Sequence, residues 1–542
     1  MPTLTWIGKD KVVTHHKDVP YRVLSHQYGY DSANPEDRSE THSGNKIIHG
    51  DNLEALKSLL PEYEGRVNCI YIDPPYNTGQ ENWVYNDNVN DPKIQKWLGE
   101  VVGKEGEDLS RHDKWLCMMY PRLCLLKQLL SIDGIILISI DDNEFANLKL
   151  LCDDVFGIKN FIELFAWRKT YTPSNLSHTT KKCVEYVLCY AKDKTYVPRF
   201  TGLNKTNDAD NPLLKSNNQY KELRFPCKSV ESTLKGDFYF KAGTYGTKVN
   251  TVFLKEDVEF KNGQFLQDIV LEGKFIWTQE MLDSEIAKNT KIIFKGKSFA
   301  PRYDRTDYSP EVPRNLIDEE DLVGTTETGG KLLKAIFGRK VFDYPKPPSL
   351  IEYLLNFVCK QDAVILDSFA GSGTTAHAVL NLNAHDGGNR KFILIELCDY
   401  AETITAERVR RVMSGYSDQS GLGGSFDYYE LGERLFNNDG NLNELVSEDQ
   451  IREYIYFTET KQHLTRPKTE GVYLLDDWND TSYYFYYQKE AATTLSFDSL
   501  RKIVDHKAEQ YIIYADICTI SDADLEKRHV IFKKIPRDIT RF

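Results

Sequence analysis

Residues 363–375 read AVILDSFAGSGTT, and this stretch decides the fold of the chain. An apolar run that ends in Asp367 is typical of a buried strand, and the two glycines that follow predict a tight turn leading into a helix. A second apolar run, KFILI at 391–395, ends in Glu396. Strand, turn, helix and strand in this order predict a parallel βαβ unit.

The glycine turn has the composition of a site for a nucleoside cofactor. Glycines let a ligand approach the backbone closely, and a carboxylate such as Glu396 can accept two ribose hydroxyls. These features fit NAD as well as S-adenosylmethionine. The turn lacks the third glycine of the dinucleotide fingerprint and the lysine of a P-loop. Asp367 is a poor neighbour for a pyrophosphate and a good one for an ammonium group, which favours S-adenosylmethionine. A purely structural turn stays open on this segment alone.

A second motif, DPPY at 73–76, also follows an apolar run, VNCIYI at 67–72. Open α/β sheets bind ligands at the carboxyl ends of their strands, so both motifs are expected at one edge of a sheet. Asp73 offers a carboxylate, and Pro74 offers a carbonyl on a chain whose φ is fixed. Two fixed acceptors suit a ring amino group, whose nitrogen becomes a better nucleophile when both N–H groups are held. Tyr76 offers a face on which a base can stack. By itself, the motif fits a strand-terminating turn equally well.

Together the two motifs resemble those of the DNA amino-methyltransferases in the permuted order called the beta class. In that order the acceptor half precedes a target-recognition insertion, and the cofactor half comes last. Three further stretches fit the order, namely IHGDNL at 48–53, SIDDNE at 139–144 and FDYPKP at 342–347.

The resemblance narrows further to the modification subunits of Type III restriction–modification systems. It is carried by the runs YIDPPYNTG, WLCMMYPRL, ISIDDNEFANLKLLCDDVFG and FILIEL. Those subunits are adenine-N6 methyltransferases that use S-adenosylmethionine, act on double-stranded DNA, work as dimers and can associate with a helicase–nuclease subunit. The resemblance implies the same activity, cofactor and substrate here, with a homodimer and a possible restriction subunit as partners.

The implied fold class is α/β, a doubly wound, Rossmann-like and circularly permuted methyltransferase sheet with an inserted target-recognition domain and a small C-terminal α+β domain. The expected boundaries are an N-terminal lead at 1–45, an acceptor half at 46–195, a target-recognition domain at 196–330, a cofactor half at 331–424 and a C-terminal domain at 425–542. The polar stretch 77–112 is expected to form a long loop or lid.

The resemblance also assigns roles to individual residues. In the acceptor site, Asp73, Pro74 and Tyr76 hold and stack the target adenine, and Pro75 shapes the loop. Around the cofactor, Asp51 and Asn52 are expected on its adenine side, Lys346 on its carboxylate and Glu396 on its ribose. The cofactor turn itself is expected to consist of Asp367, Phe369, Gly371 and Gly373.

Composition limits the class of protein. The chain has 542 residues, a net charge of −13 and 12% aromatic residues, which excludes disorder for most of its length. No stretch approaches the ~20 apolar residues of a membrane span, and the first residues lack the apolar core of a signal peptide. The ten cysteines form no Cys-x-x-Cys pair, so neither a disulfide framework nor a zinc site is indicated. We expect a cytoplasmic protein with no metal.

Charge is unevenly distributed along this acidic chain. Residues 165–250 contain 15 Lys and Arg against 7 Asp and Glu, whereas 425–449 contain 1 Arg against 7 acids. A basic segment can follow a phosphate backbone, although an ordinary solvated surface explains the same count. The candidates for phosphate contact are Arg168, Lys169, Lys181, Lys182 and Arg224.

The sequence leaves several alternative functions open. N4 of cytosine is also a ring amine, and Asp rather than Ser at position 73 favours adenine. A C5-cytosine enzyme needs a Pro-Cys nucleophile, but Pro226-Cys227 lies in the insertion, away from a strand end that would activate a thiolate. A solitary DNA methyltransferase, an RNA or protein-amide methyltransferase, and a specificity protein without catalytic activity are further alternatives. Intact Asp73, Tyr76 and Gly371 disfavour the last of these.

Overall fold

The structure is a computed structural model that describes residues 4–78, 92–103, 110–175, 178–201, 211–247, 250–305, 312–466, 469 and 471–537. It divides into two compact units, one of residues 200–313 and one of residues 1–199 and 314–542.

The larger unit is built on one mixed sheet, to which ten strands of the described residues contribute. In chain order they are β1 (Arg22–Asp31), β2 (Lys46–His49), β3 (Val67–Ile72), β4 (Leu130–Ile140), β5 (Phe161–Arg168), β6 (Val184–Ala191), β7 (Leu316–Ile317), β8 (Val364–Asp367), β9 (Lys391–Glu396) and β10 (Ser425–Arg434). Their spatial order is β1-β10-β2-β9-β8-β3-β4-β6-β5-β7. Strands β10, β2, β9, β8, β3 and β4 are mutually parallel, and β6 runs antiparallel between β4 and β5.

Helices connect the parallel strands. The main helices of this unit are α1 (Asn52–Tyr63), α2 (Arg111–Leu129), α3 (Phe145–Cys152), α4 (Pro348–Val358), α5 (Thr374–Asp386) and α6 (Glu407–Ser414). Shorter or peripheral helices span Lys9–Val12, His15–Asp18, Pro92–Val101, Thr326–Phe337, Glu448–Thr460, Phe497–Ile503 and Asp522–Lys527. No helix among the described residues has the length and apolar character that crossing a membrane requires.

The handedness of the crossovers puts helices on both faces of the sheet. The chain moves across the sheet in one direction through β2-α1-β3-α2-β4 and in the opposite direction through β8-α5-β9. Because such crossovers are right-handed, opposite directions of travel place α1 and α2 on one face and α5 on the other. Leucines of α1, α2 and α3 accordingly share one apolar core with alternate strand residues such as Ile70 and Ile72. The expected doubly wound sheet is confirmed.

The ends of the chain join this sheet differently from the expected boundaries. β1 lies in the stretch treated as an N-terminal lead, and β10 begins at the residue where a separate C-terminal domain was expected. These two strands pair antiparallel, and β10 also pairs parallel with β2. Two register shifts interrupt the β1–β10 pairing, so neither strand has the regular alternation by which a sequence reveals it.

The smaller unit, 200–313, is shorter than the expected inserted domain at 196–330, because β7 already pairs with β5 of the main sheet. Its described strands span Asn211–Pro212, Lys221–Phe225, Val230–Ser232, Phe238–Phe240, Gly243–Gly246, Thr251–Leu254, Val258–Lys261, Gln264–Phe265, Ile269–Gly273, Lys291–Phe294 and Pro301–Asp304, and an α-helix spans Gln279–Ala287. Its separate apolar core consists mainly of phenylalanines and leucines. Most of the stretch predicted as a loop or lid, 77–112, lies outside the described residues, and Pro92–Val101 within it is a helix.

After β10, a second small sheet is formed by strands Leu474–Trp478, Thr481–Phe485, Gln510–Ala515 and Val530–Lys534. The last three are parallel and are separated in sequence by short helices. A buried ion pair closes this region, in which Nε and Nη2 of Arg537 each donate to Asp516 at 2.6 Å. Both side chains are almost completely buried.

Asp516→Ala is expected to destabilise this C-terminal region by about 3 kcal/mol, because it leaves the Arg537 cation buried without its main partner. Amide hydrogen exchange in strand Gln510–Ala515 measures the local free energy of opening. Asp522→Ala, which removes an exposed carboxylate nearby, is the control. Equal protection in both variants would mean that the ion pair does not stabilise the region.

Candidate active site

The carboxyl ends of β3 and β8 lie side by side in the sheet and lead into Asp73 and Asp367. The two strands are parallel neighbours. The chain leaves β3 toward one side of the sheet and β8 toward the other, so the strand order reverses between them. A crevice at such a point is where open α/β sheets bind ligands. The fold therefore brings the two sequence motifs together.

A cleft occupies this position and joins the two motifs. Five of the predicted residues line it, namely Asp73, Lys346, Asp367, Phe369 and Gly371. Its wall is completed by Tyr71, the loop Phe342–Lys346 and the start of α5. The cleft thus has the acceptor motif on one side and the glycine turn on the other.

Lys346 holds the Asp73 carboxylate. Its Nζ donates to the two carboxylate oxygens at 3.0 and 2.8 Å and to the Tyr76 hydroxyl at 2.8 Å. It also lies 4.9 Å from the centre of the Tyr76 ring. Burial opposes the charged form of Lys346, but the carboxylates of Asp73 and Glu185 outweigh this effect and raise its pKa. Lys346 is therefore an ammonium at neutral pH.

The position of Lys346 bears on the role that the resemblance implies for it. A third partner, the Glu185 carboxylate, lies 3.4 Å from Nζ. An ammonium has three hydrogens, and Asp73, Tyr76 and Glu185 together match that number. Lys346 links the cofactor-side loop 342–347 to the acceptor motif, and its contact with a cofactor carboxylate stays a prediction.

The DPPY loop is fixed by residues that the sequence motifs do not identify. Trp115 of α2 donates its indole N–H to the Pro75 carbonyl at 2.6 Å. Asn77 has a left-handed backbone with φ of 58° and donates to the buried Glu144 carboxylate. Glu144 also lies 2.6 Å from Nδ1 of His112. Trp115 and Glu144 belong to the runs that carried the resemblance, which is the only signal of their role in the sequence.

Glu396 holds the glycine turn against the end of β9. Its carboxylate accepts the N–H groups of Gly371 at 2.8 Å and Cys398 at 2.9 Å. The Thr405 hydroxyl donates to the Gly371 carbonyl at 2.6 Å. Gly371 and Gly373 have φ of 53° and 78°, a region that glycine adopts without strain. A Cβ at position 373 would also lie 3.0 Å from the Thr405 carbonyl oxygen. The turn therefore favours glycine at position 371 and leaves little room for a side chain at position 373.

Asp51 and Asn52 follow β2, the strand next to the one that carries Glu396. Asp51 accepts N–H groups from the first turn of α1 and so caps that helix. Asn52 donates to the Ser368 carbonyl at 3.0 Å and accepts a hydrogen bond from Arg122 at 2.5 Å. Among the described residues, neither Asp51, Asn52 nor Glu396 lines the cleft itself. Asn52 and Glu396 hydrogen-bond to the segment that carries the turn.

Asp367 gives the cofactor side of the cleft its electrostatic character. Burial raises the pKa of Asp367 to about 7, although the Thr375 hydroxyl and the Phe369 N–H donate to its carboxylate and oppose the shift. The nearby carboxylates of Asp73 and Glu396 add to the increase. A buried carboxylate with a raised pKa is stabilised in its charged form by a cation. The charge of Asp367 therefore suits a positively charged ligand such as S-adenosylmethionine.

Four of the five basic residues expected to contact DNA have partners within the protein. Nζ of Lys169 lies 2.9 Å from Glu185, and Nζ of Lys182 lies 2.8 Å from Asp142. In the smaller unit, Arg224 lies 3.6 Å from Asp268. Arg168 stacks over the ring of Tyr171, and Lys181 is exposed. Lys169 thus lies at the active-site edge of the sheet, and the DNA contacts stay predictions.

Comparison with known proteins gives one family match. The model of the DNA methylase family that covers N6 and N4 methyltransferases matches residues 67–407. These residues include both motifs and the smaller unit.

Three curated relatives are similar to the chain. The Type III restriction–modification enzyme StyLTI Mod subunit of Salmonella typhimurium is 36% identical, over 65% of this chain and 52% of the relative. The EcoPI Mod subunit of Escherichia phage P1 is 32% identical, over 73% of this chain and 63% of the relative. The Type II methyltransferase M.KpnI of Klebsiella pneumoniae is 31% identical, over 65% of this chain and 81% of the relative. The chain spans between half and two thirds of the length of the Type III subunits that it matches. The resemblance to these subunits is confirmed.

Proposed function

The chain belongs to the DNA methylase family, and on that premise we propose that it methylates N6 of adenine within a short sequence of double-stranded DNA, with S-adenosylmethionine as donor. The observation that carries the proposal is the single cleft that contains both Asp73 and Asp367. The choice of adenine over N4 of cytosine rests on Asp rather than Ser at position 73. A role as the modification subunit of a Type III-like system in the cytoplasm is supported by the similarity to two Mod subunits.

The acceptor side would act by holding the amino group rather than by removing a proton first. S-adenosylmethionine supplies a methyl group on a sulfonium; as the amine nitrogen forms its bond to carbon, the S–C bond breaks, its electron pair stays on sulfur, and the amine later releases one proton. Asp73 would accept one N–H of the amine, and the Pro74 carbonyl would accept the other. Because these acceptors are fixed before the base arrives, they stabilise the developing positive charge without reorganisation. Tyr76 stacks on the base once it leaves the duplex.

The cofactor side would use Asp367 to attract the cationic donor. The glycine turn allows close approach of the backbone, and the start of α5 borders the same cleft. Lys346 would meet the donor from the opposite loop. Glu396 and Asn52 would also keep the turn in place, and the expected contacts of Glu396 with the ribose and of Asp51 and Asn52 with the adenine stay predictions.

Binding of S-adenosylmethionine is expected to strengthen with pH in the neutral range. With a pKa of about 7 in the free protein, Asp367 is mostly protonated at pH 6 and mostly charged at pH 8. Only the charged form attracts the cation, so affinity should rise by up to about tenfold between these values. Calorimetric titration at both pH values measures the change, and Asp367→Asn should bind weakly with little pH dependence. A flat profile for the unaltered protein would contradict the role of Asp367.

Single-molecule modification sequencing of DNA from cells that express this chain alone tests the whole proposal. N6-methyladenine at one short motif, absent with an Asp73→Ala variant, is the expected result. N4-methylcytosine at the motif would instead identify the alternative base. Absence of any modified motif, with purified protein also inactive on duplex DNA, would overturn the proposal. A homodimer and a restriction subunit stay predictions, which mass measurement in solution and co-purification test.

A further inference from the structure

Glu185 is a buried carboxylate that the proposed reaction does not use directly. It lies at the amino end of β6, which reaches the active-site edge because this strand runs antiparallel to β4. One oxygen of Glu185 accepts the Tyr76 hydroxyl at 3.1 Å and lies 3.4 Å from Nζ of Lys346. The other accepts from Nζ of Lys169 at 2.9 Å. Glu185 therefore contacts the proposed stacking ring and the cation that holds Asp73.

Four charges balance in this cluster. The ammonium of Lys346 lies between two carboxylates, 2.8 Å from Asp73 and 3.4 Å from Glu185. Lys169 completes the set on the far side of Glu185. Glu185, Lys346 and Asp73 are each at least nine-tenths buried, so water screens their interactions weakly. Removal of any one charge would leave its neighbours uncompensated.

We propose that Glu185 is a positioning residue for methyl transfer, which fixes the Tyr76 ring and shares the Lys346 ammonium with Asp73. The inference rests on the proposed function. During transfer, positive charge moves onto the amine nitrogen beside Asp73. Without Glu185, Lys346 would pair with Asp73 alone, and the cluster would carry one excess positive charge. Both changes weaken Asp73 as an acceptor for the amine. Among the described residues Glu185 does not line the cleft, and Asp367, which attracts the donor, is unchanged, so cofactor binding should change little.

Glu185→Gln tests the effect of the negative charge alone, because glutamine has the same size and can still accept a hydrogen bond from the Tyr76 hydroxyl. We expect single-turnover methylation at saturating DNA and S-adenosylmethionine to slow by about tenfold, an indirect effect smaller than loss of a direct contact. Affinity for S-adenosylmethionine and the thermal unfolding temperature should stay close to those of the unaltered protein. Glu163→Gln on the neighbouring strand β5 is the matched control, since its carboxylate is partly exposed and accepts from the adjacent Leu164 N–H.

Lys169→Gln combined with Glu185→Gln restores equal numbers of positive and negative charges. If charge balance is the role of Glu185, the double variant should methylate at least about threefold faster than Glu185→Gln, because coupled residues are not additive. The inference would be overturned, with the unaltered protein still active, by either of two results. One is a methylation rate in the double variant reduced by the product of the two single-variant reductions; the other is an unchanged rate in Glu185→Gln. An unaltered protein without activity on duplex DNA would overturn the proposed function as well. The two failures are therefore distinguishable.

Discussion

Replacing Asp73 with asparagine is expected to slow methyl transfer by about 10²–10³-fold, the usual cost of removing one preorganised polar contact to the transition state. Asparagine keeps the shape of the side chain but presents an N–H group where an acceptor is needed. It also removes the charge that holds Lys346 at 2.8 Å. Single-turnover methylation of duplex DNA measures the rate, and equilibrium binding of S-adenosylmethionine should change by less than about threefold because Asp367 still attracts the donor.

Asp133→Asn is the matched control for that experiment. Asp133 lies near the amino end of β4, whereas the active site lies at the carboxyl ends of the parallel strands. About a third of the Asp133 side chain is exposed. Its substitution should leave the rate unchanged. An Asp73→Asn variant that methylates as fast as the control would show that Asp73 does not hold the target amine. Loss of cofactor binding in Asp73→Asn would instead mean that the side chain acts on the donor side.

The parts of this site that could be predicted from sequence are those encoded locally. Asp73 and Asp367 each follow a short apolar run, and the rule that parallel strands present their carboxyl ends at one edge brings them together. The glycines at 371 and 373 could be assigned to a turn because glycine adopts positive φ without strain. The structure has positive φ at both positions. In both cases a few adjacent residues predict the strand end and the turn, whereas the function could be predicted only from the two motifs together.

Other parts depend on pairing between distant segments. Glu185 reaches Tyr76 across 109 residues, and Lys346 reaches Asp73 across 273. Nothing near Glu185 indicates that β6 runs antiparallel and so turns its amino end toward the active site. Phosphate contact was the expectation for Lys169 because charge counts do not reveal that its partner is a carboxylate. Long-range electrostatic partners of this kind are decided by sheet topology rather than by local pattern.

Gly371→Trp is expected to weaken S-adenosylmethionine binding by at least about 100-fold, or ~2.8 kcal/mol. Gly371 lines the cleft, and its backbone is fixed by Glu396 and Thr405 in a conformation with φ of 53°. A tryptophan there strains the backbone and fills the space of the ligand.

Gly387→Trp separates these effects, because Gly387 has φ of 70° at the far end of α5 and nothing within 4 Å of an added Cβ. Calorimetric titration should find weak binding only in the first variant. Undiminished affinity in Gly371→Trp, with both variants folded by circular dichroism, would mean that the cofactor binds elsewhere.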